Sequence, residues 1–326
     1  MKDYRKEQES IKQNIENRKQ QNLNFIKMIN NKTLLTVFIT FLNLSIFAQT
    51  HNKSELQTKI ETILLDKKAD VGVAIIGTNN EVIHINGNKM YPMLSTVKFP
   101  IALTALYQVE KGKLSMKQKI FIKREELLDD PTNWSPFKEK HPNGNLYITL
   151  EEALSWMVSY SDNNLTDIVL RLIGGPEAVQ EYMDNEEHFI IKNDEEGMHK
   201  DWDSQFVNKT TPNYMVRNLK DFYNGEYLNP KNTKWLYKAM LNNKSGLKRI
   251  KGNLPKNTKV AHRTGTSFTN DAGMTGAIND VGIIKLPNGK QFYIGVFVHN
   301  TYETFADSEK IIADIAKTAY DFYATK

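Results

Sequence analysis

A serine and a lysine stand three residues apart where a long apolar segment begins. Ser95 and Lys98 lie in PMLSTVKFPIALTALYQVEKG, and residues three apart on a helix share one face. Burying an ammonium group beside a hydroxyl is costly unless other groups compensate it. One alternative is a capping serine with a lysine whose ammonium reaches solvent. The other is a nucleophilic hydroxyl with the amine that takes up its proton.

Two further Ser-x-x-Lys pairs begin at Ser135 and Ser245. The first lies in a polar stretch and precedes Pro136, and the second lies in the loop sequence NNKSG. Only Ser95 opens a long apolar segment, where the positive end of a helix dipole favours an oxyanion. The sequence therefore favours Ser95 as the chemically active member of the three.

Two more motifs follow Ser95 along the chain. Ser161–Asp162–Asn163 separates two helical patterns, and HRTGTS (residues 262–267) stands just before strand-like sequence. Alone, the first is typical of a helix N-cap with a loop, and the second of a strand entry whose glycine allows close backbone approach. The order of all three motifs points instead to one shared catalytic site.

The two ends of the chain carry the strand patterns that must position these motifs. SELQTKIETILLDKKA predicts a helix capped by Ser54, and VGVAIIG and EVIHING predict strands around a turn at Asn79–Asn80. MTGAINDVGIIKL and QFYIGVFVHN flank Pro287–Asn288–Gly289, a hairpin signal, and the last residues repeat apolar positions at helical spacing.

Helical patterns fill the middle of the chain. Thr149 with Glu152 predicts a capping box, Gly174 a helix end, and Pro176 and Pro212 helix starts. We therefore expect an α+β fold: an antiparallel five-stranded sheet flanked by helices, with an inserted all-α domain. The expected boundaries are residues 49–92 and 245–326 for the α/β domain and residues 93–244 for the all-α domain. A cleft between the two is the expected site.

Together the three motifs resemble those of class A serine β-lactamases and penicillin-binding proteins. The Ser-Asp-Asn motif is intact, whereas Arg263–Thr264–Gly265 departs from the usual Lys-Thr-Gly in its first residue. The resemblance spans nearly all of residues 54–324, and the contexts YPMLSTVKF, GGPEAVQEYM and EEGMHKDWD look most like the branch that contains the PER and VEB enzymes. It implies an enzyme that confers resistance to β-lactam antibiotics, cephalosporins and penicillins above all.

The resemblance implies a role for each group in an acyl-enzyme mechanism. Ser95 would be the nucleophile, and either Lys98 or Glu195 would be the acylation base. Ser161 would relay a proton to the β-lactam nitrogen, and Asn163 would bond the acyl side-chain amide. The backbone N–H groups of Ser95 and Thr266 would form the oxyanion hole.

The substrate's carboxylate calls for a cation and hydroxyl groups. The resemblance places substrate-binding groups at Arg263, Thr264, Gly265, Thr266 and Ser267. An arginine can hold a carboxylate at two points, which a lysine cannot. Arg249 stands where some members supply a second carboxylate-binding arginine, and its alternative is a solvated surface residue. Trp134 resembles the aromatic residue at the cleft mouth, and its alternative is a packing residue.

Deacylation needs a carboxylate that activates water, and NDEEGMHKDW offers three acidic residues. Alignment on the branch's Glu-x-x-Met-His pattern selects Glu195 over Asp194 and Glu196. His199 replaces the asparagine that positions the water in most class A enzymes. Glu195 argues against two alternatives that retain the acyl group: a penicillin-binding D,D-peptidase and a non-catalytic β-lactam sensor domain.

Composition excludes several other classes. The chain has no cysteine, so a disulfide framework, a cysteine nucleophile and a cysteine-ligated metal are ruled out. The seven histidines show no His-x-His or His-Glu-x-x-His spacing, and we expect neither metal nor cofactor. Residues 1–48 hold eight Lys/Arg and four Asp/Glu, so they carry most of the net charge of +5 and leave no basic excess for nucleic acid. The resemblance suggests a monomer.

The first residues predict export. Residues 28–48 combine Lys32, an apolar run from Leu34 to Phe47 and a small residue at Ala48, which is the layout of a signal peptide cleaved after Ala48. A membrane anchor is the alternative, although the run is shorter than the roughly 20 residues that span a bilayer. We expect residues 1–27 to be disordered or untranslated, with Met1 or Met28 as the start, and the mature protein to be periplasmic.

Overall fold

The computed structural model describes residues 54–130 and 132–325 and, before them, five exposed helical positions: Gln13, Glu16, Asn17, Lys19 and Gln20. Apart from these positions, the predicted leader (residues 1–27) and signal peptide (residues 28–48) lie outside the described residues. Residues Ser54–Lys326 form one compact unit. In the part of the chain that the structure describes, no helix is long and apolar enough to cross a membrane.

Helices and strands of this unit are numbered in chain order. The α-helices are α1 (Glu55–Leu64), α2 (Lys98–Glu110), α3 (Pro136–Lys140), α4 (Leu150–Tyr160), α5 (Asn163–Ile173), α6 (Gly175–Met183), α7 (Glu195–Met198), α8 (Pro212–Tyr223), α9 (Pro230–Leu241) and α10 (Phe305–Ala324). The strands are β1 (Asp70–Ile76), β2 (Val82–Ile85), β3 (Tyr91–Pro92), β4 (Lys119–Ile122), β5 (Leu146–Thr149), β6 (Phe189–Ile190), β7 (Lys209–Thr210), β8 (Val260–Thr266), β9 (Thr275–Lys285) and β10 (Gln291–Thr301).

The main sheet has five antiparallel strands in the order β2-β1-β10-β9-β8. Its strands come from the two ends of the described unit, as predicted. Alternate residues of β1 serve two cores, because successive side chains of a strand point to opposite faces. Val73 and Ile75 pack in the core that includes α1 and α10, whereas Ala74 and Ile76 pack in the core that includes α2 and α8. The sheet is therefore covered by helices on both faces, and the predicted fold class is confirmed.

The predicted helix boundaries in the middle of the chain also appear. Thr149 caps α4 by accepting from the backbone of Glu152, whose side chain bonds back to the cap. Gly174 ends α5 with a φ of 104°, a left-handed value that favours glycine. The helices α2 to α9 follow one another between β3 and β8 in the chain. The proposed boundaries at residues 93 and 245 stay a prediction, since residues 54–326 pack as one unit.

Candidate active site

Ser95 lies in a 3₁₀ turn, Leu94–Val97, and the α-helix α2 begins only at Lys98. Ser95 therefore opens the apolar segment, as predicted, but it does so in a turn that leads directly into the α-helix. The first residue of this turn, Leu94, has a φ of 48° directly before the serine. Such a value is strained for a branched side chain, so the surrounding structure must hold it in place.

Two residues of the sheet hold this turn. The side-chain Nδ2 of Asn279 on β9 donates to the carbonyls of Pro92 and Met93 at 2.8 and 3.2 Å. A Cβ at Gly265 would lie 2.5 Å from the Met93 carbonyl oxygen, so only glycine lets β8 approach this closely. The predicted close approach is present, but residues 262–266 lie within β8 rather than before a strand.

Lys98 is fully buried at the centre of the cluster. Its Nζ lies 2.9 Å from Ser95 Oγ, 2.6 Å from Asn163 Oδ1 and 2.8 Å from Glu195 Oε1. It also donates to the Ser161 carbonyl at 3.1 Å. Burial lowers the pKa of Lys98 below its ordinary value, and the attraction of Glu195 only partly opposes this. The amine is thus in contact with both the proposed nucleophile and the proposed water-activating carboxylate.

Arg263 is also fully buried, and it lies behind Ser161 rather than in the cavity. Its guanidinium donates to Ser161 Oγ, to the Val158 carbonyl at 2.8 Å and to Asn243 Oδ1 at 3.0 Å, and its Nε to the Ser95 carbonyl at 3.2 Å. Burial lowers its pKa to about 10. Contrary to expectation, the guanidinium offers no open fork to a substrate, because Ser161 and three other acceptors occupy it.

The Ser161–Asp162–Asn163 motif joins two helices. Ser161 ends α4 in a left-handed conformation (φ 62°), and Asp162 caps α5 by accepting from Leu165 N at 2.9 Å. Asp162 also accepts from Ser135 Oγ at 2.9 Å. Burial raises the pKa of the Asp162 carboxyl, and the bonds that it accepts oppose this rise. Ser135 therefore has a structural part in the site, unlike Ser95.

Residues 192–208, here called the acidic loop, bring Glu195 to the cluster. The loop contains the single-turn helix α7, whose N-cap Asp194 accepts from Gly197 N at 2.8 Å. Glu195 is 3% exposed and faces Lys98, whereas Glu196 is exposed. Of the three acidic residues that the sequence offers, the structure thus brings Glu195 to Ser95 and Lys98.

Two buried side chains hold the acidic loop. The carboxyl group of Asp167 on α5 accepts from Glu195 N at 2.7 Å and from Glu196 N at 3.0 Å. At the loop's base, Asn208 accepts from Lys192 N and donates to the Asn193 carbonyl. Sequence reasoning missed Asp167, although an acidic residue on the buried side of a helix was a usable signal.

His199 ends α7 and lines the cavity. Its Nδ1 lies 2.6 Å from the carbonyl oxygen of Glu195, and a carbonyl can only accept. The proton of the neutral ring is therefore on Nδ1, which leaves Nε2 as an acceptor.

Two hydroxyl groups lie together in the wall of the cavity. Ser245 Oγ and Thr264 Oγ1 are 2.6 Å apart, and both residues line the cavity. Arg249 does not join them in the cavity. It is 2% exposed, pairs with Glu309 at 3.1 Å and donates to Thr266 Oγ1 at 2.8 Å. Arg249 is therefore neither a solvated residue nor a direct substrate ligand, but a buried support of β8.

The expected oxyanion hole lies at the outer edge of the sheet. β8 is the last strand of the sheet, and Ser267 N donates to the Ala277 carbonyl at 2.8 Å. Because alternate N–H groups of an edge strand point away from its neighbour, Thr266 N points to the open side. Ser95 and Thr266 both line the cavity.

The cavity between these elements has a volume of about 350 Å³. The predicted residues that line it are Ser95, Trp134, Ser161, Asn163, Glu195, His199, Thr264, Thr266 and Ser267. Trp134 is 56% exposed, as a residue at the mouth should be. Lining residues that sequence reasoning did not assign are Leu94, Thr132, Met198, Gln205, Ser245 and Phe268. The Ser-x-x-Lys pair that begins at Ser245 could have marked this residue as part of the site, but its position in a loop argued against an active serine there.

The part of the chain that the structure describes holds no group of side chains suited to binding a metal ion. No three His, Asp or Glu side chains there are grouped so that they could hold a metal ion. The arrangement offers a hydroxyl and a carboxylate that both contact one amine and both line the cavity, which suits nucleophilic and general-base chemistry.

Comparison with known proteins agrees with this geometry. The model of the β-lactamase enzyme family matches residues 55–323. β-Lactamase VEB-1 of Pseudomonas aeruginosa is 46% identical over 299 residues, which cover 90% of this chain and 97% of VEB-1. Extended-spectrum β-lactamase PER-1 of the same organism is 36% identical over 275 residues, 83% of this chain and 88% of PER-1. A solved class A β-lactamase from Bacteroides cellulosilyticus superposes with a TM-score of 0.79 at 34% identity, over 84% of this chain and 99% of that chain.

The family match covers nearly all of the compact unit and includes the three motifs that meet around Ser95. The similarity to VEB-1 and PER-1 agrees with the branch that the sequence contexts indicated. The chain therefore belongs to the β-lactamase enzyme family and has the fold of its class A members.

Proposed function

We propose that this enzyme hydrolyses β-lactams through an acyl-enzyme on Ser95, and that water activated by Glu195 releases the product. The observation that carries the proposal is the position of Lys98 Nζ, 2.9 Å from Ser95 Oγ and 2.8 Å from Glu195 Oε1 in a buried cluster beside the cavity. Burial of the amine lowers its pKa, which favours the neutral form that a base requires.

Acylation begins when Ser95 Oγ attacks the lactam carbonyl and gives its proton to Lys98 or to Glu195. The carbonyl oxygen becomes an oxyanion facing the N–H groups of Ser95 and Thr266. The C–N bond then breaks, and the nitrogen takes the proton of Ser161. Lys98, whose Nζ lies 3.4 Å from Ser161 Oγ, replaces that proton with the one removed from Ser95, taken up directly or by way of Glu195. Asn163, which lines the cavity, would bond the amide of the acyl side chain.

In deacylation water is the nucleophile and Ser95 Oγ is the leaving group. Glu195 takes a proton from the water as the water oxygen attacks the ester carbonyl. The bond to Ser95 Oγ then breaks, and Oγ regains a proton that passes from Glu195 through Lys98, which contacts both groups. His199 Nε2 is an acceptor that would orient this water from the second side. The carboxylate, the ring and the ester position all border one cavity.

The substrate class follows from the site and its relatives. Ser245, Thr264 and Thr266 offer hydroxyl groups to the carboxylate that β-lactams carry, and the buried charge of Arg263 lies behind them. PER-1 is named an extended-spectrum enzyme, which supports cephalosporins as well as penicillins as substrates here. We infer a periplasmic monomer, cleaved after Ala48, that protects its host from β-lactam antibiotics; the layout of residues 28–48 supports export.

The test uses a chromogenic cephalosporin and mass spectrometry of the protein. The wild type should turn over many times, and Glu195→Gln should accumulate a stoichiometric adduct on Ser95. Glu196→Gln is the matched control, since Glu196 is exposed one position further on, and it should turn over normally. Trapping by Glu196→Gln alone would show that the wrong carboxylate has been assigned. A wild-type adduct stable for hours would favour a penicillin-binding peptidase or a sensor domain.

A further inference from the structure

A second buried pair of titratable groups lies outside the chemistry described above. His262 on β8 and Asp280 on β9 are both 0% exposed. His262 Nδ1 lies 3.0 and 2.9 Å from the two carboxylate oxygens of Asp280. On the other side of the ring, His262 Nε2 lies 3.0 Å from Nδ2 of Asn243. Because a buried His–Asp pair is costly to maintain, it calls for a functional or structural reason.

The partners of Asn243 fix where the proton of His262 lies. Asn243 Oδ1 accepts from the guanidinium of Arg263 at 3.0 Å and from Ser245 Oγ at 2.9 Å, so this atom is the amide oxygen. Asn243 Nδ2 is then the donor, and it also bonds the Ser245 carbonyl at 2.9 Å. His262 Nε2 must therefore accept, and the ring proton sits on Nδ1, where it is donated to Asp280.

This chain of bonds continues to the cavity wall. Ser245 Oγ contacts Thr264 Oγ1 at 2.6 Å, and both hydroxyl groups border the cavity. Asn243 also holds the guanidinium of Arg263, whose other end donates to Ser161 Oγ. The orientation of one buried amide thus sets both the hydroxyl pair and the buried cation beside the nucleophile.

We propose that His262 is a positioning residue for the carboxylate end of the substrate site, acting through Asn243 on Ser245, Thr264 and Arg263. The proposal rests on the proposed function, since it assumes a substrate with a carboxylate at those hydroxyl groups. Asp280 accepts the Nδ1 proton and so fixes the tautomer of His262. The unprotonated Nε2 then fixes the orientation of the Asn243 amide. With a proton on Nε2, two donors would face each other at 3.0 Å, and Asn243 would turn its oxygen away from Arg263 and Ser245.

The first test is His262→Asn, whose shorter amide still reaches Asp280 but places nothing near Asn243. The KM for a chromogenic cephalosporin should rise about ten-fold, the usual effect of losing one buried hydrogen bond. The kcat should stay within about two-fold, and the methyl ester of the same cephalosporin should lose no kcat/KM. Tyr214→Phe is the matched control: it removes a 2.6 Å bond to the Met183 carbonyl elsewhere in the unit and should leave the ratio of acid to ester unchanged.

The second test needs no variant and so does not depend on folding. Nitrogen NMR of wild-type protein labelled at histidine should show His262 protonated on Nδ1 and unprotonated on Nε2. A protonated Nε2, or an equal loss on acid and ester in His262→Asn, would overturn the positioning role. Failure of the proposed function has a different signature, namely a wild type that does not turn over the cephalosporin at all.

Discussion

The nucleophile cluster and the acidic loop meet at one lysine but are built differently. Ser95, Lys98, Ser161 and Arg263 occupy a turn, two helix ends and a strand, all fixed within the packed unit. Glu195 comes from the acidic loop, in which one helical turn is held by the carboxyl group of Asp167. The elements of the fold position the first region, whereas individual side chains position the second. Acylation should therefore depend on the cluster's own atoms, and deacylation on supports that never touch substrate.

Lys98→Met should produce the largest effect, because it removes the amine that links the two regions while keeping an unbranched side chain as far as Cε. Acylation should slow by about 10³-fold or more, since nucleophile activation is lost and Glu195 is left buried without its partner. Rapid mixing with a chromogenic cephalosporin measures the acylation rate.

Lys138→Met is the matched control for that experiment. Lys138 follows Ser135 with the same spacing, but it bonds the Leu128 carbonyl and Asp129 near the surface. Its loss should change acylation by less than about three-fold, as surface ion pairs contribute little. If Lys98→Met acylated as fast as the wild type, Lys98 would have no part in the mechanism. The claim that it links the nucleophile cluster to the acidic loop would then be wrong.

Asp167→Asn should slow deacylation without slowing acylation, because Asp167 supports only the acidic loop. An amide oxygen has no second oxygen beside it, so one of the two N–H groups, on Glu195 or Glu196, loses its acceptor. Deacylation should slow by about 10- to 100-fold while acylation changes little, and acyl-enzyme should accumulate during turnover. Asp201→Asn is the control, since Asp201 lies exposed in the same loop and caps Ser204 N. Equal slowing of both steps would mean that Asp167 supports the whole site.

The same variant has a stability signature with a defined sign. Burial, followed by the charge of Glu195, raises the pKa of Asp167 to about 8. In the unfolded chain the pKa is about 3.9, so between these values the folded state holds a proton that the unfolded chain has lost. The free energy of unfolding must therefore fall as pH rises through that window, by up to about 1.4 kcal/mol per unit. Urea denaturation should show this slope in the wild type, and the slope should be shallower in Asp167→Asn by the contribution of this one group.

The two regions also differ in how far the sequence predicts them. Ser95 and Lys98 are neighbours in the chain, so a three-residue spacing and an apolar segment were enough to find them. The contact between Asp167 and Glu195 spans 28 residues, and only the packed fold shows that it exists. Alignment with a known family selected Glu195, but it could not name the residue that holds it.

The arginines show a second limit of sequence reasoning. The family resemblance assigned Arg263 to the substrate carboxylate, and it offered Arg249 as a second candidate whose alternative was a solvated surface residue. Burial decides otherwise, since each guanidinium is occupied by carbonyl and hydroxyl groups of the protein. The resemblance indicated which ions these cations could bind, but not whether an open side of each guanidinium faces the cavity.

Arg263→Lys should have the smallest effect and sharpens the comparison within the nucleophile cluster. A lysine keeps a positive charge near Ser161, but one ammonium cannot also reach the Val158 carbonyl and Asn243. Because the resembling enzymes carry lysine here, kcat/KM should fall by no more than about three-fold, while stability should fall by about 1–2 kcal/mol from the lost buried bonds. Arg249→Lys is the control, because Arg249 pairs with Glu309 and does not line the cavity. This variant should lose a similar amount of stability, and its kcat/KM should not change. A loss of activity above about 100-fold in Arg263→Lys would mean that the planar guanidinium, and not its charge alone, is required to hold Ser161 for proton transfer.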